Sequence, residues 1–318
     1  MKRLIEQLNK QGGLDLLKTY LGLGVLHTAI FQLLIGGKSR SNLETIRLTV
    51  QNKTQIKLKR KFSRHIESYL AENHMLNRAN NSKRIVWVCW LQGIENAPKL
   101  VKVCVESIQR MFGIDSVVII TENNYQEYVT LPDYIVKKWH DGRITNTHFS
   151  DILRVALLFE NGGIWIDSTV LCTGNKIPEY LQKNTLFFYQ ILKPGRDGHA
   201  IFCSSWLISS EINNPIIGLT RNLLFTYWKT ENKLIDYFLF HHFLCIACGE
   251  YPQIYEDIIK VDNGQEHVLA FELGNKYDRN KIDEILEQAS IHKLTNKKDF
   301  NVDNSTYSVL MKKGNFDG

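Results

Sequence analysis

Residues 148–169, HFSDILRVALLFENGGIWIDST, contain the pattern that decides the fold, a buried helix followed by a buried strand. Almost every residue from Ile152 to Phe159 is apolar, which predicts a helix without a solvent-facing side. Ser150 or Thr147 is placed to cap its N-terminus. Asn161-Gly162-Gly163 then favours a helix end, because these residues tolerate left-handed backbone conformations. The apolar triplet that follows predicts a short strand.

Three charged residues interrupt this apolar stretch. Asp151 and Arg154 are three positions apart, so they share one helix face. Asp167 falls at the C-terminal end of the predicted strand Ile164–Ile166, and ligands of α/β sheets bind beyond the carboxyl ends of strands. The three side chains could therefore converge on one small polar molecule. An internal ion pair between Asp151 and Arg154, beside a glycine turn, is the alternative.

The same stretch resembles the Ser-Asp-x-x-Arg…Gly-Gly-x-Tyr/Trp-x-Asp-x-Asp signature of sugar-nucleotide-dependent glycosyltransferases. It is most similar to the bacterial capsular polysaccharide synthesis glycosyltransferases, and more distantly to glycosyltransferase family 32 and the clostridial glucosylating toxins. The resemblance runs from about Lys83 to about Lys298. The chain departs from the signature at Thr169, where the second Asp is expected, so the usual second carboxylate on the metal is missing.

The segment before this motif has the pattern of a nucleotide-binding half-domain. Ile85–Trp90 predicts a strand, Pro98 opens a helix that reaches Met111, and Val117–Ile120 predicts the next strand. The resemblance implies a GT-A-type α/β fold with a mixed, mainly parallel central sheet and an N-terminal helical extension. We expect a basic helical region over residues 1–82 and a glycosyltransferase domain over residues 83–318.

The resemblance implies a donor site assembled from several parts of the chain. Trp90 follows a predicted strand, where related enzymes place an aromatic residue that stacks on the nucleotide base; a core position is the alternative for such an indole. Lys293 and Lys297 lie in a segment that resembles those approaching the donor diphosphate, with a solvated surface loop as the alternative. The cofactor-binding residues implied are Trp90, Gly93, Ser150, Gly163, Lys293 and Lys297.

A divalent cation, Mn²⁺ or Mg²⁺, is also implied by the resemblance. Its candidate ligands are Asp167, Thr169 and His292, the last replacing the missing carboxylate. The cation and the lysines would stabilise the negative charge that grows on the leaving diphosphate. The catalytic residues implied are Asp151 and Arg154, which would hold sugar hydroxyls, and Asp167, which would hold the ribose or the metal.

The activity implied by the resemblance is transfer of a hexose from a nucleoside diphosphate sugar, UDP-glucose or UDP-galactose, to a lipid-linked oligosaccharide in capsular or surface polysaccharide synthesis. Retention of anomeric configuration is expected, although no residue presents itself as a nucleophile. The Asp-x-Thr departure motivates an alternative, a catalytically silent sugar-nucleotide-binding or scaffold subunit of the same machinery.

Positive charge is concentrated at the N-terminus of this 318-residue chain, which carries a net charge of +6. Residues 1–84 hold 16 Lys and Arg against 5 Asp and Glu. Residues 14–35 are largely apolar, but His27, Thr28 and Gln32 interrupt them, so the unbroken apolar stretch is shorter than the ~20 residues that a bilayer span requires. We expect peripheral attachment to an anionic membrane surface, the inner face of the bacterial plasma membrane. A helical extension packed on the domain is the alternative.

Composition argues against nucleic-acid binding and against a disulfide-stabilised protein. The basic run lacks interleaved aromatic residues and a known nucleic-acid-binding motif, so no nucleic acid partner is expected. The six cysteines lie in apolar surroundings and indicate buried thiols in a reducing cytoplasm, not a disulfide framework. Cys245 and Cys248 lack a second pair of ligands for structural zinc and are expected in a core helix.

Overall fold

The computed structural model describes residues 20–22, 24–73, 85–174, 176–192, 200–297, 300, 302–314 and 316, with the side chain of residue 183 excluded. The strands are β1 Val86–Cys89, β2 Val117–Ile120, β3 Gly163–Ile166, β4 Val170–Cys172, β5 Leu186–Gln190, β6 Cys203–Ser210 and β7 Ile291–Lys293. The helices are α1 Leu26–Gly36, α2 Arg40–Glu72, α3 Lys99–Phe112, α4 Asp133–His140, α5 Asn146–Asn161, α6 Glu179–Lys183, α7 Pro215–Thr230, α8 Leu239–Glu250, α9 Pro252–Glu256, α10 Val268–Glu272, α11 Arg279–Gln288 and α12 Thr306–Lys313.

Five strands form a mixed central sheet in the order β2-β1-β3-β6-β5. The pairs β2/β1 and β1/β3 are parallel, whereas β3/β6 and β6/β5 are antiparallel. Four strands therefore run in one direction and β6 runs in the other. The expected α/β fold with a mixed, mainly parallel sheet and N-terminal helices is confirmed.

The central sheet lies between two layers of helices because its strands alternate apolar side chains between two faces. Trp87 and Trp165 point to one core, which also contains residues of α2, α5, α7 and α8. Val88 and Ile166 point to the opposite core, where they pack against Val101 and other residues of α3. Both faces of the sheet are thus covered, as the unbroken apolar runs predicted.

Helix α5 is buried along almost its whole length, as its sequence predicted. Its N-cap is Thr145, whose hydroxyl accepts a hydrogen bond from the backbone N–H of His148 over 3.2 Å. The expected caps, Thr147 and Ser150, lie inside the helix, and the Ser150 hydroxyl donates to the Thr147 carbonyl over 2.7 Å. The helix begins earlier than predicted because Thr145 supplies the capping oxygen one turn before Ser150.

Gly162 and Gly163 turn the chain from α5 into β3. Both have positive φ, 64° and 99°, which L side chains rarely adopt. A Cβ on Gly163 would lie 2.3 Å from the carbonyl oxygen of Ile85. This glycine therefore lets β3 approach the segment leading into β1, and the indole N–H of Trp87 closes the turn by donating to the Gly162 carbonyl over 2.8 Å.

Strands β4 and β7 form a separate antiparallel pair, of which β4 follows β3 directly along the chain. Val170 is paired with Lys293, and Leu171 is paired with His292. The backbone N–H of Leu294 also donates to the carbonyl of Thr169 over 2.9 Å. The C-terminal part of the chain is thereby held beside the residues that follow β3.

Helices α1 and α2 form a hairpin that leads into the main core. Phe62 of α2 packs edge-to-face on Phe243 of α8, with ring centroids 5.4 Å apart. Ala29 of α1 packs with Ile46 and Val50 of α2. The expected boundary between residues 82 and 83 lies in 74–84, outside the described residues. Within the described ranges, no helix is long and apolar enough to cross a bilayer.

Several lysines of the basic run on α2 are exposed and also contact other parts of the protein. Lys59 pairs with Glu250 over 2.9 Å, and Lys61 pairs with Glu231. Lys53 donates to the Thr28 hydroxyl over 2.5 Å, and Lys57 donates to the backbone carbonyl of residue 22. These lysines hold the hairpin together and attach it to α7 and α8, so they are not a purely solvated face.

The six cysteines are all free thiols, as expected. Five of them are buried. Cys245 and Cys248 lie in α8, within the main core, and the Sγ atom of Cys245 is 3.4 Å from that of Cys203. No group of three His, Cys, Asp or Glu able to hold a metal is present in the described part of the chain.

Candidate active site

A cavity of about 720 Å³ opens at the carboxyl ends of β1 and β3. Its walls come from residues that follow β1, the N-terminal half of α5, the end of β3, the segment from β7 to residue 297, and side chains near α8 and α10. The size lies within the usual range for small-molecule sites. The location is the one that the position of Asp167 predicted.

Asp151 and Arg154 line this cavity and form an ion pair with each other. Arg154 Nη1 donates to Asp151 Oδ1 over 2.7 Å. Both residues are at least nine-tenths buried. Asp151 and Arg154 therefore form an internal ion pair and are also part of the cavity wall that faces a ligand.

Arg154 also links α5 to the end of β3. Its Nη2 lies 3.3 Å from Asp167 Oδ1, and its guanidinium lies 4.7 Å from the ring of Trp165 and 5.1 Å from that of Phe240. Such contacts suit arginine because its planar, weakly hydrated cation packs on aromatic faces while donating in plane. Arg154 is thus fixed between two carboxylates.

Two histidines also lie near Asp151. His148 Nδ1 lies 3.4 Å from Asp151 Oδ2, and His241 of α8 faces the same carboxylate across the cavity. Burial alone would raise the pKa of Asp151, but Arg154 and His148 outweigh it and hold that pKa below its ordinary value. Burial lowers the pKa of His241 to about 4, so this imidazole is neutral at pH 7.

Asp167 is the most highly bonded carboxylate of the site. Its Oδ1 accepts from Arg154 and, over 3.0 Å, from the indole N–H of Trp165. Its Oδ2 lies 3.0 Å from Lys293 Nζ. Burial opposes ionisation, but Lys293 and Arg154 hold the pKa of Asp167 below its ordinary value. The carboxylate is charged and still partly accessible from the cavity.

Among the described residues, two carboxylates and three cations line the cavity. Asp151 and Asp167 face Arg154, Lys293 and Lys297, which leaves an excess of positive charge. His267 also lines the cavity, and its pKa is lowered by burial. A site of this composition favours an anion such as a phosphate or diphosphate.

The other residues expected on the donor side fall into two groups. Trp90, Ser150, Thr169 and Lys297 line the cavity. The indole Nε1 of Trp90 is buried without a hydrogen-bond partner in the described ranges. Lys297 Nζ lies 5.9 Å from the ring of Tyr237, which also lines the cavity.

Three expected residues are not brought to the cavity wall. Gly93 turns the chain after β1 with a φ of 83°, and Gly163 packs against the backbone of Ile85. His292 points to the opposite side of β7 from Lys293, because side chains alternate along a strand. Its ring is buried, and its Nε2 lies 3.1 Å from Thr173 Oγ1.

The structure adds residues that the sequence did not single out for this site. Tyr237, His241, His267 and Phe271 line the cavity, and Tyr237 and Phe271 are exposed at its edge. No local motif marks them, because their positions depend on how α8 and α10 pack. Ser205 of β6 is also on the wall.

The side chains present do not fit a divalent cation. Mg²⁺ and Mn²⁺ require several oxygen ligands with little competing positive charge. Here Asp167 is the single carboxylate on the Asp-x-Thr segment, and both its oxygens already contact cations. The expected third ligand, His292, is turned away. The described residues therefore do not provide a ligand set for the expected metal.

Comparisons with known proteins found one family whose model matches most of the chain, and two weaker similarities. A profile of the capsular polysaccharide synthesis protein family matches residues 38–312. The O-glycosyltransferase PaGT of Phomopsis amygdali is 30% identical over 99 residues, which are 28% of this chain and 24% of that protein. The chain therefore spans about a quarter of the length of this relative. The solved structure of the PaToxG glycosyltransferase matches with a TM-score of 0.37 and 18% identity, over 66% of this chain and 84% of that chain.

Proposed function

Because the chain belongs to the capsular polysaccharide synthesis protein family, we propose that it is a glycosyltransferase whose cavity binds a nucleoside diphosphate sugar. One observation carries the proposal: two carboxylates and three cations line one cavity and leave an excess of positive charge, namely Asp151, Asp167, Arg154, Lys293 and Lys297. The carboxylates suit sugar or ribose hydroxyls, and the cations suit the diphosphate.

The parts of the donor match different walls of the cavity. Trp90, beyond the end of β1, offers an aromatic surface for the base. Asp151 and Arg154 retain hydrogen-bonding capacity beyond their own contact, because a carboxylate accepts several hydrogen bonds and a guanidinium donates five. Asp167 is accessible for the ribose, and Lys293 and Lys297 face the diphosphate. We propose a UDP-hexose, UDP-glucose or UDP-galactose, as the donor.

The reaction breaks the bond between the anomeric carbon and the diphosphate oxygen, and the electron pair leaves with UDP. An acceptor hydroxyl oxygen forms the new bond to the anomeric carbon, and its proton passes to the departing diphosphate. Arg154, Lys293 and Lys297 stabilise the charge that grows on that diphosphate. We propose attack on the face from which UDP departs, hence retention of configuration, which requires no covalent nucleophile.

The acceptor that we propose is a lipid-linked oligosaccharide of capsular or surface polysaccharide synthesis. Exposed rings at the edge of the cavity, Tyr237 and Phe271, support a saccharide acceptor, since aromatic faces pack against apolar sugar faces. A lipid-linked acceptor places the protein at a membrane, on the cytoplasmic face of the bacterial plasma membrane.

Helix α1 supports peripheral attachment to that membrane. Ile30, Phe31, Leu34 and Ile35 lie on its outer face, and Leu34 is 79% exposed. No acidic residue occurs between residues 20 and 43, whereas Lys38 and Arg40 follow the helix. An apolar face beside basic residues suits the interface of an anionic bilayer. The surface of α1 is therefore a better candidate for the membrane contact than the lysines of α2, which already have partners in the protein.

Release of UDP tests the proposal. The purified protein is incubated with UDP-glucose, UDP-galactose and their N-acetyl forms, with Mn²⁺ or with a chelator, and free UDP is measured. We expect one donor to release UDP above the rate of the Asp151→Ala variant. UDP binding without any release would favour the silent sugar-nucleotide-binding subunit, which the Asp-x-Thr sequence motivates. Absence of both binding and release would refute the proposed donor site.

A further inference from the structure

The ammonium of Lys293 lies between the two residues of the Asp-x-Thr segment. Its Nζ is 3.0 Å from Asp167 Oδ2 and 2.5 Å from Thr169 Oγ1. These are the positions from which the family signature directs two carboxylates at a metal. In this chain, a fixed monovalent cation lies where such carboxylates would meet.

The backbone holds Lys293 in this place. Lys293 is paired with Val170 in the β4/β7 ladder, and the next residue along β7 donates its N–H to the Thr169 carbonyl over 2.9 Å. The Lys293 side chain is only 19% exposed. A lysine restrained in this way keeps its charge at one point, as a bound ion would, instead of sampling the solvent.

The contacts of Lys293 leave part of its binding capacity unused. An ammonium has three N–H donors, and Asp167 and Thr169 accept two of them. No third partner of Lys293 lies in the described residues, and the residue lines the cavity. The remaining N–H is available to an anionic oxygen of a bound ligand.

A divalent cation at the same place would be repelled. It would share Asp167 with Lys293 and with the Arg154 guanidinium, which lies 3.3 Å from Asp167 Oδ1. Like charges within a few ångströms in a partly buried site are strongly unfavourable, and one carboxylate with one hydroxyl provides too few ligands. The geometry and the charge both disfavour a metal.

We propose that Lys293 takes the place of the divalent cation, so that the protein binds the diphosphate of its donor without a metal. The inference rests on the proposed function, since it concerns the same donor site. Lys293 bridges Asp167, Thr169 and a diphosphate oxygen, and Lys297 and Arg154 supply the remaining positive charge. Thr169 then accepts a hydrogen bond from Lys293, whereas an aspartate at this position would bind a metal.

Calorimetric titration with UDP tests the inference on the full chain. UDP is titrated in EDTA and, separately, in Mn²⁺. We expect dissociation constants that agree within about threefold. An affinity at least tenfold weaker in EDTA would overturn the inference and leave the proposed function standing. Absence of UDP binding in both conditions would overturn the donor site itself, and the inference with it.

Variants at the same position sharpen the test. Lys293→Ala and Lys293→Gln should each weaken UDP binding in EDTA at least tenfold. The double variant Thr169→Asp, Lys293→Ala provides the second carboxylate and removes the ammonium, so its UDP affinity should rise at least tenfold on adding Mn²⁺.

Lys281→Ala is the matched control, because Lys281 forms a comparable pair with Glu272 at 2.8 Å on the surface. It should bind UDP as the unmodified protein does. Thermal melting establishes that each variant is folded. If folded Lys293→Gln bound UDP in EDTA as tightly as the Lys281→Ala control, the inference would be wrong.

Discussion

His148 Nε2 accepts a hydrogen bond from the indole Nε1 of Trp228 over 2.9 Å. An imidazole nitrogen that accepts has no proton, so the neutral ring carries its hydrogen on Nδ1, which faces Asp151 Oδ2 at 3.4 Å. Helix α7 therefore influences the site without touching the cavity, because it sets which side of His148 is presented to Asp151.

The first prediction concerns Arg154→Ala. Removing the guanidinium leaves Asp151 buried without its strongest partner and deprives Asp167 of one of its cations. We expect a loss of about 3–5 kcal/mol in the free energy of unfolding, the usual cost of breaking a buried ion pair, and at least a tenfold fall in UDP release. Urea unfolding measures the first and the donor assay the second.

Arg279→Ala is the control for this variant, because Arg279 contacts Asp283 over 2.8 Å on the surface. Loss of this exposed pair should leave the free energy of unfolding nearly unchanged. The double variant Asp151→Ala, Arg154→Ala should be less destabilised than the sum of the two single variants, since no buried charge is left unpaired. An additive result would contradict the coupling inferred from the 2.7 Å contact.

The second prediction concerns Asp167→Asn. The amide keeps the shape of the side chain but loses the charge that orients both Arg154 and Lys293. We expect UDP release to fall at least tenfold, because misplaced cations no longer stabilise the leaving group. UDP affinity in EDTA should fall less than UDP release does, because all three cations remain and the amide oxygen can still accept a hydrogen bond from a ribose hydroxyl. If Asp167→Asn weakened UDP binding in Mn²⁺ but not in EDTA, the result would indicate a metal at Asp167.

The third prediction concerns the aromatic surface at the end of β1. Trp90→Ala should weaken UDP binding by about 1–3 kcal/mol, the usual value for base stacking on an aromatic ring. Trp90→Phe, which retains an aromatic face, should lose less than half of that. Calorimetry measures both. Equal losses for the two variants would assign Trp90 to packing, not to stacking on the base.

The sequence predicted that Asp151, Arg154 and Asp167 would lie close together, because short-range spacing and strand burial determine their positions. Asp151 and Arg154 share a helix face, and Asp167 follows a strand that had to be buried. Lys293 was predicted through its resemblance to diphosphate-binding segments. His292 was assigned to the same site, yet the alternation of side chains along β7 turns it away. Deciding between these neighbours requires the register of β7 on β4, which no local pattern reveals.

Other features depended on packing between distant segments. Tyr237, His241 and Phe271 reach the cavity only because α8 and α10 lie against it. The basic run on α2 predicted a solvated or membrane-facing surface; Lys59 and Lys61 are exposed, and they also pair with acidic residues at positions 250 and 231. Those partners are more than 160 residues away along the chain, and the sequence pattern contains no trace of the pairing.

The fourth prediction concerns the outer face of α1. The protein should co-sediment with vesicles containing phosphatidylglycerol and should be released at high salt, because apolar insertion and charge attraction act together. Replacing Phe31, Leu34 and Ile35 with Ser should reduce the bound fraction at least fivefold.

Ile114→Ser is the control for the α1 variant, because Ile114 is 68% exposed and lies outside α1. It should leave binding unchanged. Binding that is equal on neutral vesicles, or that survives the triple substitution, would assign the face of α1 to something other than an anionic bilayer.

The fifth prediction concerns the pH dependence of stability. Glu266 is buried, and burial raises the pKa of its carboxyl to about 7. A pKa that is higher in the folded state favours folding below the unfolded value, near 4.3, and this contribution is lost as the pH rises through about 7. The unmodified protein should therefore lose stability between pH 5 and 7 relative to Glu266→Gln, by at most about 1.4 kcal/mol per pH unit.

Urea unfolding of both proteins at several pH values measures this difference. Glu272→Gln is the control, because hydrogen bonds from Asn275 and Lys281 lower the pKa of Glu272. Its effect should have the opposite sign and should appear only below pH 5. A difference between the unmodified protein and Glu266→Gln that stays constant from pH 5 to 7 would exclude titration of Glu266 in this range.

The pairing of β7 with β4 sets an order for assembly during synthesis. Asp167 and Thr169 leave the ribosome well over a hundred residues before Lys293, which completes their surroundings. A nascent chain that stops before residue 291 has the helix α5 and the carboxylates, but not the ammonium that lies beside them. The surroundings of Asp167 and Thr169 are thus completed late in translation, once β7 has been made and has reached β4.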